Sequence, residues 1–113
     1  MSKSQQLHLE AMAKAEAAFV AKKNGDTANY LKLTEAALVK EKEAAWLLFL
    51  KMEAEPTRSV LFRSAAWLAF NCGKMRAAEQ LISAALVGNP PIEIIEELRS
   101  LYRTILVSFE PVH

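Results

Sequence analysis

The side chains that could carry out chemistry in this sequence are few and far apart. His8 and His113 lie near opposite ends of the 113-residue chain, and Cys72 is its single cysteine. Catalysis by a serine or cysteine with a histidine base would require Cys72 or a serine to act with His8, and the sequence gives no support for such a pairing. The motifs HExxH and CxxC and a phosphate-binding glycine loop are all missing. We therefore expect a protein that is not an enzyme and that has no cofactor.

Metal-binding chemistry is not expected either. A single cysteine cannot form an internal disulfide or a cysteine-based zinc site, and the Glu-x-x-His pairs of a di-iron helical bundle are missing. Glu93, Glu96 and Glu97 lie close together, but they fall in the first turns of a predicted helix, where their negative charges complement the helix dipole. Cys72 follows an apolar segment, so we expect it to pack as a small buried side chain.

Lysines and arginines occupy different parts of the chain. Every lysine except Lys74 lies at or before Lys51, whereas all five arginines lie at or after Arg58. Arginine carries a planar guanidinium group that suits buried carboxylates and bidentate recognition. Arg63 lies in an almost entirely apolar segment, where an unpaired charge would be costly to bury. We therefore expect Arg63 to stack on Trp67 or to pair with one of the three glutamates named above.

The composition of the chain predicts a single all-α domain over residues 1–113. Hydrophobic residues make up 52% of the sequence, with only three glycines and four prolines. The net charge of +1 offers no overall attraction to nucleic acid or to an anionic membrane, so we expect neither as a partner. The first residues lack the apolar core of a signal peptide, and no apolar run has the length of a membrane span. We therefore expect a cytoplasmic protein.

About five helices are predicted from the apolar periodicity and the turn residues. They form a helical hairpin over residues 4–54, a second hairpin over residues 57–89 and a capping helix over residues 91–107. Gly25 and Gly73 mark the turns of the two hairpins. The first helix of the second hairpin is apolar on almost every side, so we expect it to lie at the centre of the fold.

The second predicted helix, from about residue 27 to about residue 54, contains an unusual apolar segment. Residues 44–50, AAWLLFL, are seven apolar residues in a row, which would cover all sides of a helix. Either the central and capping helices flank this segment, or it forms an intermolecular interface centred on Trp46 and Phe49 and reaching Met52. We expect a non-enzymatic module that binds a protein partner by an apolar helix-groove contact, or a self-associating structural homodimer that uses residues 44–52.

Residues 59–92 resemble one tetratricopeptide repeat, a helical hairpin of about 34 residues. Gly73 falls at the turn glycine of that pattern, and Ala78 and Ala85 fall at its two small-residue positions. Ile82 falls at the large apolar position between them, and Pro90 at the closing proline. A second repeat, aligned by placing Gly25 at the turn position, matches the pattern less well. The resemblance implies antiparallel helical hairpins in a right-handed array that ends in the capping helix.

The same resemblance implies a possible role for two arginines. Tetratricopeptide domains that hold peptide carboxylates use basic and amide side chains on their first helices, which would make Arg58 and Arg63 the anion-binding edge of a peptide groove. The carboxyl half of the chain is also similar to a small bacterial family of helical proteins with cyanobacterial members, which implies a bacterial origin. The residues expected at an interaction surface are therefore Trp46, Phe49, Met52, Arg58 and Arg63.

Overall fold

The computed structural model describes residues 1–109, and these residues form five α-helices without a β-strand. The all-helical fold with about five helices is confirmed. His113 lies outside the described residues. Within residues 1–109, none of the helices combines the length and the apolar character that crossing a lipid bilayer requires. The helices are α1 (Lys3–Lys23), α2 (Thr27–Leu47), α3 (Thr57–Asn71), α4 (Met75–Val87) and α5 (Ile92–Ser108), with a short 3-10 turn at Met52–Ala54 between α2 and α3.

Local sequence signals explain where the helices begin and turn. The Ser2 side chain accepts a hydrogen bond from the Gln5 backbone, and the Gln5 side chain accepts one from the Ser2 backbone, which makes a capping box for α1. Asp26 caps α2 by accepting a hydrogen bond from the Asn29 backbone. The turns after α1 and α3 contain Gly25 and Gly73, both with a φ of 75°, which glycine adopts at little cost.

The helices pack in chain order into a slab of 41 × 40 × 20 Å. α1 packs on α2, α2 on α3 and α3 on α4, while α5 packs on both α3 and α4. The first turns of α1 and α3 line one cleft and their last turns line another, so the two helices run in the same direction. Many of the buried side chains are alanines, such as Ala11, Ala37, Ala65, Ala69, Ala78 and Ala85, and these small residues let neighbouring helices approach closely.

α3 is the central helix, as its sequence predicts. It contacts α2, α4 and α5, and Phe62, Ala65, Ala66 and Ala69 have no exposed surface at all. Only Trp67 among its large apolar side chains is exposed. A helix that is apolar on nearly every side has to be enclosed by other helices. α3 meets that requirement because α2, α4 and α5 all pack against it.

α2 is shorter than the sequence predicts. We expected it to continue to about Ala54, but it ends at Leu47, and residues 48–50 form a turn. This turn directs Leu48 and Phe49 toward the core, where both pack as partly buried side chains. It also leaves the Phe49 carbonyl free of helical hydrogen bonding, so that the carbonyl accepts a hydrogen bond from Arg58 Nε at 2.8 Å. A helix continuing through this segment would use that carbonyl for its own backbone.

Candidate functional site

The end of α2 carries a group of exposed apolar side chains. Trp46 is 42% exposed and Leu50 is 83% exposed, and Leu47 and Met52 are exposed as well. We call these four residues the α2-end surface. Phe49 does not belong to it, because its side chain is half-buried beneath the surface. The expectation that the central and capping helices flank the whole segment is met only in part, since α3 covers one side and these four side chains stay in contact with solvent.

Aromatic rings form the base of the α2-end surface. The centroid of the Trp46 ring lies 5.0 Å from that of Phe49 and 5.1 Å from that of Phe62, with the Phe62 ring nearly perpendicular. Phe49 and Phe62 are 6.2 Å apart. Edge-to-face packing at these distances is favourable. The exposed edge of Trp46 is therefore held in place by two rings behind it.

Arg58 lies inside the protein, although we expected it at an interaction surface. Its side chain has no exposed area. Its Nε donates to the Phe49 carbonyl, its Nη2 donates to the Ala84 carbonyl at 2.7 Å, and its Nη1 donates to the Ala85 carbonyl at 3.3 Å. The last two carbonyls belong to the final turn of α4, where a positive charge is favourable. Because it is enclosed, Arg58 cannot hold an external anion, and its role is to join the end of α2 to the end of α4.

Glu55 completes the surroundings of Arg58. One Glu55 oxygen lies 3.5 Å from Arg58 Nη1, and the carboxylate also accepts hydrogen bonds from the Ser59 backbone and hydroxyl and from the Asn89 backbone. Gly88 lies directly against this pair, because a Cβ atom at that position would stand 2.3 Å from Arg58 Nη1. Every buried polar side-chain atom in the described part of the chain has a hydrogen-bond partner, so the cluster is fully satisfied.

Arg63 pairs with a carboxylate, as the sequence predicts. Its Nη1 lies 3.3 Å from Glu97 Oε1, and the other Glu97 oxygen accepts a hydrogen bond from Trp67 Nε1 at 3.0 Å. These contacts join α3 to α5. An external anion at Arg63 would have to compete with Glu97, and Arg58 is not available to assist, so the structure does not bring the two arginines together into an anion-binding edge.

His8 and Glu41 form a pair that the sequence pattern did not reveal. Glu41 is a charged residue, yet its side chain is fully buried, and both of its oxygens lie 2.9 Å from His8 Nδ1. Nearby, the Ser4 hydroxyl donates to the Ala44 carbonyl at 2.8 Å. Both contacts join α1 to α2. The signal that could have found Glu41 is its register, because residues 34, 38, 41 and 45 form the buried stripe of α2.

A cleft lies at the first turns of α1 and α3. It has a volume of about 450 Å³ and is lined by Ser4, His8, Glu53, Glu55 and Thr57, among others. Within residues 1–109, no three histidine, cysteine, aspartate or glutamate side chains are placed to hold a metal ion. Glu55 is already engaged with Ser59 and Asn89, and His8 with Glu41, so these two side chains of the cleft serve contacts within the fold.

Cys72 is a free, half-buried thiol at the end of α3. Burial raises the pKa of the Cys72 thiol, and the negative charge of Glu35 raises it further, while Lys74 opposes both effects. At neutral pH the folded protein should therefore carry less thiolate than an exposed cysteine, and the thiolate is the reactive species. We expect iodoacetamide to alkylate Cys72 several-fold more slowly than glutathione at the same pH, as followed by mass spectrometry. In urea the two rates should converge, and equal rates in the folded state would contradict this expectation.

The structure separates the five residues that were expected at one surface. Trp46 and Met52 are exposed at the end of α2, Phe49 lies beneath them, Arg58 is buried behind Phe49, and Arg63 pairs with Glu97. Comparison with protein-family models, with curated proteins and with solved structures finds no match to this chain.

Proposed function

We propose that this chain is a non-enzymatic protein-interaction module that binds a partner protein through the α2-end surface. The observation that carries the proposal is the exposure of large apolar side chains there, above all Leu50 and Trp46. Clustered apolar side chains on the outside of a folded protein are typical of contact surfaces. Tryptophan is also enriched among the residues that dominate the binding energy of interfaces. An apolar helix or strand of the partner is the chemistry that this surface would accept.

The rigidity of the surface supports the proposal. Trp46 packs against Phe49 and Phe62, and the Phe49 backbone is held by the buried guanidinium of Arg58. A side chain that is already ordered before binding loses little conformational entropy when a partner covers it. Trp46 is therefore a better anchor for a partner than a mobile apolar side chain would be.

A homodimer through the same surface is the second candidate. Among residues 44–52 only Lys51 is charged, so two copies could face each other there with a single pair of like charges to keep apart. In that case the chain would be a self-associating structural protein, and the partner segment would be the α2-end surface of a second copy.

We further propose that the two hairpins are tetratricopeptide-like and form a right-handed array capped by α5. The shared direction of α1 and α3, the antiparallel packing of α2 between them and the turn glycines Gly25 and Gly73 support this arrangement. The resemblance of the carboxyl half supports a bacterial source. A single cysteine and the absence of disulfides favour a reducing cytoplasm as the compartment.

Replacing Leu50 with aspartate tests the proposed surface with little risk to the fold, because Leu50 is mostly exposed. A charge at the centre of an apolar interface should weaken binding at least about tenfold while changing the melting temperature little. The measurements are light scattering after size-exclusion chromatography over a range of concentrations, and quantitative retention of proteins from the native cell extract.

Leu31→Asp is the matched control, since Leu31 is an exposed apolar residue near the start of α2, where a negative charge is compatible with the helix dipole. A dimer lost in Leu50→Asp but kept in Leu31→Asp supports the homodimer. A monomer that loses one retained protein only in Leu50→Asp supports the interaction module. If both variants behave like the unmodified protein, the α2-end surface is not the interface.

A further inference from the structure

α5 carries two apolar stripes rather than one. Ile94, Leu98, Leu101 and Ile105 are buried against α3 and α4. A second set, which we call the outer stripe, is rotated from the buried stripe by about 100°, given 3.6 residues per helical turn. Its members follow one another at steps of three and four residues, and they are Ile92, Ile95, Arg99, Tyr102, Leu106 and Phe109.

The outer stripe is largely uncovered. Ile92 is 59% exposed and Leu106 is 43% exposed, and Tyr102 and Phe109 are exposed to a similar degree, whereas Ile95 is half-buried. Apolar residues spaced alternately by three and four are typical of a helix that packs against another helix. At its far end the Arg76 guanidinium of α4 lies over the Phe109 ring, 4.5 Å from the centroid, while the exposed faces of Ile92, Tyr102 and Leu106 leave room for a partner helix.

Charge is distributed unevenly along α5. Glu93, Glu96 and Glu97 lie in its first half, and Arg99 and Arg103 lie in its second half. Glu97 is engaged with Arg63 and Trp67. Glu96, Arg99 and Arg103 are exposed and form no ion pair with any residue of the range 1–109. An antiparallel copy of the same helix would therefore meet this one with the opposite charge along its length.

The spacing of the outer stripe reads the same in both directions, with steps of three, four, three, four and three. Two antiparallel copies can consequently face each other in a single register that pairs every member of the stripe. In that register the contacts are Ile92 with the partner's Phe109, Ile95 with the partner's Leu106, and Arg99 with the partner's Tyr102. The Arg99 guanidinium of each copy then stacks on the Tyr102 ring of the other, which gives two such contacts related by the two-fold axis.

We propose that the outer stripe of α5 is a dimerisation surface whose occupant is the antiparallel α5 of a second copy of this chain. Glu96 and Arg103 flank the stripe on the same side. In this register Glu96 lies within one helical turn of the partner's Arg103, and Arg103 lies within one helical turn of the partner's Glu96. The proposal goes beyond the proposed function, because it uses a different face of the protein. α5 has only 17 residues, which is a small contact compared with the ~800 Å² per partner of a standard interface, so the dimer is a weak one.

Charge exchange at Glu96 and Arg103 tests the proposal. Sedimentation velocity over a wide concentration series should show a reversible monomer–dimer equilibrium for the unmodified protein. Glu96→Arg and Arg103→Glu each place like charges opposite each other, and each should raise the dimer dissociation constant about tenfold or more. The double variant Glu96→Arg/Arg103→Glu restores opposite charges and should restore the dissociation constant to within a few-fold of the original.

Two controls make the outcome specific. Lys32→Glu changes the charge by the same amount as Arg103→Glu, but at an exposed lysine on α2, and it should leave dimerisation unchanged. Leu50→Asp should also leave dimerisation unchanged, which distinguishes this dimer from one formed through the α2-end surface. Circular dichroism and melting curves verify that each variant is folded. A monomer at every concentration, single variants that dimerise normally, or a folded double variant that fails to recover dimerisation would each overturn the proposal.

Discussion

Replacing Arg58 with alanine should lower the free energy of unfolding by about 3–5 kcal/mol, the cost of removing one partner from a buried ionic cluster. The guanidinium has no exposed area and donates to three carbonyls, those of Phe49, Ala84 and Ala85. It also lies over the Phe49 and Phe62 rings at 5.3 and 5.2 Å. The variant leaves these carbonyls without their donor and leaves a cavity beneath the aromatic cluster. Urea unfolding followed by tryptophan fluorescence measures the loss.

Arg58→Lys should recover little of this stability. The three acceptors lie in different directions around a planar group, and a lysine ammonium is a point charge that cannot reach them together. Lys32→Ala is the control, because Lys32 is exposed and has no ion pair within residues 1–109, so its removal should cost no more than about 0.5 kcal/mol. An Arg58→Ala variant as stable as Lys32→Ala would contradict the structural role assigned to Arg58.

Replacing Gly88 with alanine tests the packing around Arg58 independently. A Cβ atom there would lie 2.3 Å from Arg58 Nη1 and 2.7 Å from Arg58 Cζ, and the φ of Gly88 is −85°, so the clash rather than the backbone opposes alanine. Gly88→Ala should cost about 1–3 kcal/mol in the natural protein. In the Arg58→Ala background both arginine contacts are removed and only Glu55 Oε2, at 2.9 Å from the added Cβ, remains close, so the cost should fall, with a coupling energy above about 0.5 kcal/mol.

The sequence predicted the elements of the fold better than the contacts between them. Glycine turns, helix caps and apolar periodicity are local signals, and they located the turns at Gly25 and Gly73, the central helix and α5. The pairing of Arg63 with a glutamate of α5 was also predictable. A charge on an apolar helix needs a partner, and the three candidate glutamates lie in the first turns of α5. What was missed depends on residues distant in sequence, since the acceptors of Arg58 include Ala84 and Ala85, 26 and 27 positions away.

The early end of α2 was also missed because it depends on a residue distant from it in sequence. Seven apolar residues in succession are compatible with a longer helix, and nothing local marks Leu47 as the last helical residue. The turn at residues 48–50 becomes understandable only when buried Arg58 is present to bind the Phe49 carbonyl. The proposed α2-end surface depends on this turn, because it is the turn that brings Phe49 inward and leaves Leu50 outside. Arg58 therefore shapes the candidate surface without being part of it.

Replacing His8 with alanine should destabilise the protein by about 2–3 kcal/mol, because the buried Glu41 carboxylate loses its hydrogen-bond partner. Glu41 has no exposed side-chain surface, and both of its oxygens face His8 Nδ1. His8 is itself about one third exposed, so water can enter the space left by the imidazole and reduce the cost below that expected for Arg58→Ala. Thermal and urea unfolding of the two variants side by side should show this order.

The double variant His8→Ala/Glu41→Leu separates a buried charge from lost packing. Once the carboxylate is gone, no charged group remains without a partner between α1 and α2, and leucine fits the stripe formed by Thr34, Leu38 and Ala45. Removing both members of a buried pair is close to neutral where removing one is costly, so the double variant should be more stable than His8→Ala alone. If the second substitution lowers stability further, the cost of His8→Ala comes from the lost imidazole packing, and Glu41 tolerates its buried position without a partner.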